Sequence, residues 1–210
     1  MEIIIDEEIQ QACPDLMLNY FSVPVSVEAS NEALLALIEQ KCVEIEQNIP
    51  LDSISQLPPI HAAREAYKAL GKKPGRYRPS AEALLRRVVT GKGLYRINNV
   101  VDLINYISIS SQFSIGGYDA DQIEGQIRLG KGKIGEPYEA IARGQLNIAN
   151  LPVLRDEKGA FGCPTSDSTR TMVDKRTKKL LMVFFNFGRD KELEGAFENF
   201  LTLFHNFCSI

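Results

Sequence analysis

The sequence predicts an α+β protein. Three observations carry that expectation. Helical-period apolar patterns dominate the first hundred or so residues after two short strand-like runs, the stretch up to Phe187 then turns glycine-rich with short apolar runs, and an amphipathic helix closes the chain. Helices followed by strands, without βαβ alternation, argue against a wound α/β sheet.

The elements follow in order. Met1 to Ile5 reads as a short strand, and Leu16 to Val27 alternates (Leu18, Tyr20, Val23, Val25, Val27) as a second. Ser30 or Asn31 caps a helix carrying Leu34, Leu35, Leu37, Ile38, Cys42 and Ile45 at helical spacing. Pro58-Pro59 breaks the chain before a helix from His61 to Leu70, which Gly71 ends as a left-handed cap. Pro74 and Gly75 make Lys72 to Arg78 a loop, after which Ser80 is expected to cap Ala81 to Val89, stopped near Gly91 and Gly93. Asn98 to Ser111 is a further helix. Lys179 to Asn186 is apolar at nearly every position, as a central strand buried on both faces would be. Asp190 to Phe207 places Leu193, Ala196, Phe197, Phe200, Leu201 and Phe204 on one side of the closing helix.

Composition narrows the function. The 210 residues are 44% hydrophobic and 24% charged, enough to bury an ordinary core. No stretch approaches the roughly 20 apolar residues of a membrane span, and the acidic start Glu2 to Glu8 is unlike a signal peptide, so a cytoplasmic protein is expected. Cys13, Cys42, Cys163 and Cys208 are too scattered for a zinc site and read as buried or idle thiols, so neither metal nor cofactor is expected. Only His61 and His205 are available as imidazole bases, and both fall in amphipathic helical patterns, which leaves a Ser-His-Asp mechanism few candidates.

The net charge of −3 conceals an asymmetry. Met1 to Ile60 holds one Lys/Arg against eleven Asp/Glu, whereas His61 to Arg96 holds ten basic residues against two acidic ones. A segment of local charge +8 suits a phosphate backbone, because each neutralised phosphate releases counterions. It equally suits docking on the acidic N-terminal third. Arg76, Arg78, Arg86, Arg87 and Lys92 are the candidate phosphate contacts.

Three stretches stand out. The first is Arg78-Pro79-Ser80-Ala81-Glu82-Ala83-Leu84-Leu85-Arg86-Arg87, running into Ile97-Asn98-Asn99-Val100-Val101-Asp102-Leu103-Ile104-Asn105-Tyr106. The second is Gly116-Gly117-Tyr118-Asp119 with Asp121-Gln122-Ile123-Glu124-Gly125-Gln126-Ile127. The third is Gly159-Ala160-Phe161-Gly162, leading through Thr165-Ser166-Asp167-Ser168-Thr169-Arg170-Thr171 to Phe184-Phe185. Together they resemble the editing (B3/B4) module of the phenylalanyl-tRNA synthetase β subunit, in the same order and at comparable distances, and the chain looks like the free-standing B3/B4 proteins.

The resemblance implies a layered β-sandwich of unusual topology flanked by helices. It also implies a single domain over 1–210: an N-terminal accessory part (1–75), a family-like core (76–187) and a C-terminal helix (188–210). It implies a pocket for the aminoacylated 3′ end of a tRNA, and hence binding of tRNA or an aminoacyl or amino-acid-like ligand. Hydrolysis of a mischarged aminoacyl ester in trans is the alternative. In this alignment Gly116 stands where the synthetase has a histidine and Ile104 where it has a threonine, so two polar groups of that pocket are missing and neither tyrosine-like discrimination nor the synthetase's own editing reaction is expected. Together with the guanidinium and hydroxyls of Thr165 to Thr171 this points to a small, polar ligand.

The residues themselves keep two readings open. Asn98, Asp102 and Asn105 form one polar stripe on a helix, able to hold a ribose or a water, or to cap the helix and bond nearby backbone or Arg96. Gly116-Gly117 permits close backbone approach to a ligand or simply makes a turn. Thr165 to Thr171 offers five hydroxyls, a carboxylate and a guanidinium, suited to a polar ligand or to a capped turn. The expected site is therefore Asn98, Asp102, Gly116, Gly117, Ser166, Asp167 and Arg170 in one cleft, with Asp167 and Arg170 as orienting charges.

Overall fold

A computed structural model describes residues 2–208 and has the expected mixed α+β composition. The strands are β1 (Ile3–Ile5), β2 (Leu16–Pro24), β3 (Ser114–Asp119), β4 (Ile127–Lys131), β5 (Glu139–Ala140), β6 (Gly144–Gln145), β7 (Pro152–Asp156), β8 (Gly159–Gly162) and β9 (Lys179–Phe187). The α-helices are α1 (Glu7–Ala12), α2 (Glu32–Asn48), α3 (Pro58–Ala69), α4 (Ser80–Val89), α5 (Asn99–Ser111) and α6 (Asp190–Phe207).

Strand β9 organises the molecule. It lies between β2 and β3 in an antiparallel three-stranded sheet, while a second sheet runs β1-β4-β7-β8, with β1 and β4 parallel and the other pairs antiparallel. Because successive strand side chains point to opposite faces, β9 serves two cores. Leu181, Val183 and Phe185 pack with Ile127, Leu129, Leu154 and Phe161 of the second sheet. Leu180, Met182 and Phe184 pack with Leu34 of α2, Leu85 of α4, Leu103 of α5 and Phe200 of α6. Aromatic rings of α6 tighten this second core, Phe200 standing 5.3 Å from Phe21 and 6.3 Å from Phe184.

Helix ends follow local chemistry, with two departures from expectation. Pro58-Pro59 is the first turn of α3 rather than a break before it, since proline lacks only an N–H that has no helical partner there. Gly71, at φ +88°, closes α3 as expected, with Lys72 N–H bonding Tyr67 O (2.7 Å) and Gly71 N–H bonding Lys68 O (2.9 Å). Ser80 does not cap α4. Pro79 occupies the cap position, and the Ser80 N–H donates instead to Pro164 O at 2.7 Å, which ties the start of α4 to the loop after β8. Asn98 caps α5, its Oδ1 accepting from Val101 N at 2.9 Å. The four cysteines are free and buried. Among the described residues no helix is long and apolar enough to cross a membrane.

Candidate functional site

Residues 163–168 leave β8 as a loop, and three buried tyrosines hold it from different sides. The Tyr67 hydroxyl meets Thr165 Oγ1 at 2.9 Å, Tyr138 donates to Ser166 O at 2.6 Å, and Tyr118 donates to Asp167 Oδ1 at 2.8 Å. The Cys163 thiol adds a bond to Ser166 O, and Asp167 O accepts from Ile141 N at 2.9 Å. Burial raises all three phenols well above the usual tyrosine range, so they stay neutral.

Tyr118 reaches Asp167 because two glycines give it room. Its ring lies over Gly116 on the same face of β3 and beside Gly162 of β8, and a Cβ on either glycine would overlap the phenol. Asp167 is half-buried, its carboxyl packed against that phenol. Burial lifts it from the ordinary range to about 7, against the opposing pull of the Tyr118 hydroxyl and of the Gly117 and Cys163 N–H groups, which favour the charged form.

Asp167 faces a cavity of about 670 Å³, within the range of small-ligand pockets. Buried Cys163 and Thr165 lie at its inner end with Ser166 and Asp167, and α4 forms one wall through Ser80, Ala83, Leu84 and Arg87. Arg78, Arg86, Lys92 and Arg143 supply further positive charge around it, and exposed Leu51, Tyr95 and Ile97 supply apolar surface.

The cations are not equivalent. Glu82, whose side chain is fully buried in α4, binds Arg64 Nη1 at 2.8 Å and Arg86 Nε at 2.9 Å, with Arg78 Nε at 3.7 Å. Arg87 stacks on the Tyr95 ring with its guanidinium 4.0 Å from the centroid. Among the described residues neither Arg87 nor Lys92 forms an ion pair.

The seven expected site residues do not converge. Ser166 and Asp167 line the cavity, and Gly117 lends Asp167 its N–H from behind. Asn98 is a helix cap, and Asp102 is buried framework, accepting from Ser30 Oγ at 2.7 Å and Ile97 N at 2.8 Å. Arg170 turns to Asp156, donating to Oδ1 at 2.8 Å and Oδ2 at 3.2 Å and to the carbonyls of Gln122 and Gly159. Its guanidinium is held there because the Asp156 side chain is fully buried and needs a counter-charge. Gly116 is filled by Tyr118, and Ile104 packs over Gly117 in the helix-side core.

Of the five basic candidates, Arg78, Arg86, Arg87 and Lys92 line the cavity, while Arg76 lies over Tyr77 at 5.7 Å. Sequence reasoning missed Tyr67, Tyr118, Tyr138, Glu82 and Tyr95. A tyrosine two residues after a glycine in a strand was the one local sign, and it marks Tyr118 alone.

Comparisons with known proteins give the family. Over 92 residues the chain is 30% identical to the phenylalanine--tRNA ligase beta subunit of Bartonella quintana (strain Toulouse) and 32% identical to that of Bartonella henselae, in each case over 43% of this chain. The match spans 11% of the length of those relatives. The crystal structure of an N-terminal fragment of the phenylalanyl-tRNA synthetase beta-subunit from Pyrococcus horikoshii superposes with a TM-score of 0.45 at 14% identity, covering 97% of this chain and 48% of that one. Residues 62–192, which contain α4, the 163–168 loop and the whole cationic wall, match the B3/4 domain, and the chain belongs to that family.

Proposed function

We propose that the cavity binds the 3′ end of a tRNA carrying an aminoacyl group, or an amino-acid-like ligand of the same chemistry. One observation carries this reading: a single cavity joins Arg87 and Lys92, which form no ion pair among the described residues, to the half-buried carboxyl of Asp167. Phosphates suit the cations, which attract them without reading sequence. An α-amino group suits Asp167, and Ser166 supplies a hydroxyl beside it. The family match and the tRNA ligase subunits among the relatives support the same choice of ligand.

Hydrolysis is the second reading, favoured by the Asp167 carboxyl at about 7. A base of that strength at the inner end of a pocket is matched to general catalysis near neutral pH. Asp167 would take a proton from a water attacking the ester carbonyl and return it to the departing ribose oxygen, releasing free amino acid and deacylated tRNA.

Binding is tested by fluorescence anisotropy with tRNA across roughly 50 to 200 mM salt, where phosphate-driven affinity falls steeply. The pair Arg87→Ala and Lys92→Ala should weaken binding and flatten the salt slope. Affinity indifferent to salt, or no binding at low salt, overturns the reading. Release of amino acid from a panel of mischarged tRNAs, lost in Asp167→Asn while tRNA binding persists, separates hydrolysis from binding alone.

A further inference from the structure

Tyr95 is 52% exposed and Ile97 61% exposed, yet both line the same cavity as Asp167. Exposed apolar side chains at the edge of a cationic pocket have a use when a flat ligand covers them. One face of Tyr95 is already taken by the Arg87 guanidinium at 4.0 Å. That stack fixes the ring plane and sets a planar cation against it.

Arg87 forms no ion pair among the described residues, and its buried Nε has no hydrogen-bond partner. Arg86 differs, since Glu82 already holds its Nε at 2.9 Å. Lys92, three residues before Tyr95, adds an exposed charge to the same cavity. An aromatic face, a planar cation and a separate ammonium suit a nucleobase with its phosphate, because every base presents a π face and every nucleotide an anion.

We propose that the stacked pair of Arg87 and Tyr95 clamps one nucleobase against the ring face that Arg87 leaves open, with Lys92 taking the adjoining phosphate. The clamp rests on reading the cavity as a nucleic-acid end site and names which part of that end the rim holds. The recognised unit is a nucleoside monophosphate.

Calorimetric titration of the full chain with AMP, ribose 5-phosphate and inorganic phosphate tests it, beside binding of intact tRNA and of tRNA lacking its 3′-terminal nucleotide. AMP should bind about tenfold more tightly than ribose 5-phosphate, as expected for one stacked base. Tyr95→Ala should remove that preference and Tyr95→Phe should keep it. Arg87→Lys, which keeps the charge and loses the plane, should reduce it. Equal binding of AMP and ribose 5-phosphate, an equal loss for both in Tyr95→Ala, or binding of none of the three overturns the clamp. If intact and truncated tRNA then still bind with a steep salt dependence, the tRNA reading survives without it. Discrimination for AMP without tRNA binding would leave the clamp standing and remove the tRNA reading.

Discussion

The Tyr118 hydroxyl donates to Asp167 Oδ1 at 2.8 Å through a gap kept open by Gly116 of β3 and Gly162 of β8. The pair joins strand β3 to the loop after β8, and both the acidity and the position of the carboxyl depend on it.

Removing that donor should make Asp167 a weaker acid still. The hydroxyl favours the ionised form, so Tyr118→Phe should move the carboxyl above its present value of about 7. Carbon-detected NMR titration of the Asp167 carboxyl gives the value directly, and an unchanged or lower value would contradict the assignment. Gly116→Ala should displace the phenol and cost about 1–3 kcal/mol, the usual range for overpacking, read from urea unfolding.

Stability should fall as pH rises through the window between the unfolded and folded values of Asp167. The group is raised from 3.8 to about 7, so between those values the folded chain holds a proton that the unfolded chain has released, and folding weakens across that range. Above pH 8 the effect is complete. Asp167→Asn should abolish this component, gaining on the wild type by on the order of a few kcal/mol between pH 4 and pH 8. Parallel urea titrations of the two proteins isolate it, and identical pH profiles would show that Asp167 is ionised much like a surface carboxylate.

Glu82 should prove a structural hub of the basic wall. Its buried carboxylate gathers Arg64 and Arg86 at hydrogen-bond distance, and Glu82→Gln leaves guanidiniums beside a neutral amide. Those arginines keep some contact with water, so a loss of about 2–4 kcal/mol is expected, at or below the range for a fully buried broken pair. Chemical denaturation measures it, and a loss under about 0.5 kcal/mol, typical of a surface position, would mean the arginines are solvated as they stand.

Arg170 belongs to the fold rather than the cavity. Arg170→Ala strands the buried Asp156, which retains bonds from the backbone N–H groups of Glu124, Lys158 and Gly159. With that partial compensation the expected cost is about 2–3 kcal/mol, or roughly 5–10 °C in melting temperature for a chain of this size. Ligand affinity at the cavity should be unchanged, and a loss of affinity without a loss of stability would return Arg170 to the site.

Limited proteolysis between residues 60 and 78 should not release a stable C-terminal fragment. Val25, Leu34 and Ile54 share one core with Leu180, Phe184 and Phe204, so a cut there leaves half a core exposed. A protected fragment beginning near Arg78 would show that the later part folds alone.

Periodicity made much of this fold legible, because it reports which face of an element is buried. The two-sided burial of β9, the Asn98 cap and the Gly71 helix end all follow from residues within a few positions of one another. Helix α1 did not, since the six residues Glu7–Ala12 are too few to show a period. Nor did most of the site. The Tyr118 to Asp167 bond spans 49 residues and the Tyr67 to Thr165 bond 98, distances over which no local pattern speaks. Arg170 shows the converse, a residue whose company in a polar run suggested a ligand while its partner stood 14 positions upstream.

The pairing of β2 with β9 has a consequence for how the chain is made. Leu16 to Pro24 lie against Lys179 to Phe187, and among the described residues β2 has no other strand neighbour. A ribosome must therefore add about 160 further residues, roughly 10–30 s of synthesis, before the edge of β2 can be covered. Throughout that interval Leu16, Leu18, Tyr20 and Phe21 await a mate, so the nascent N-terminal third is the stretch that a holding chaperone would meet first.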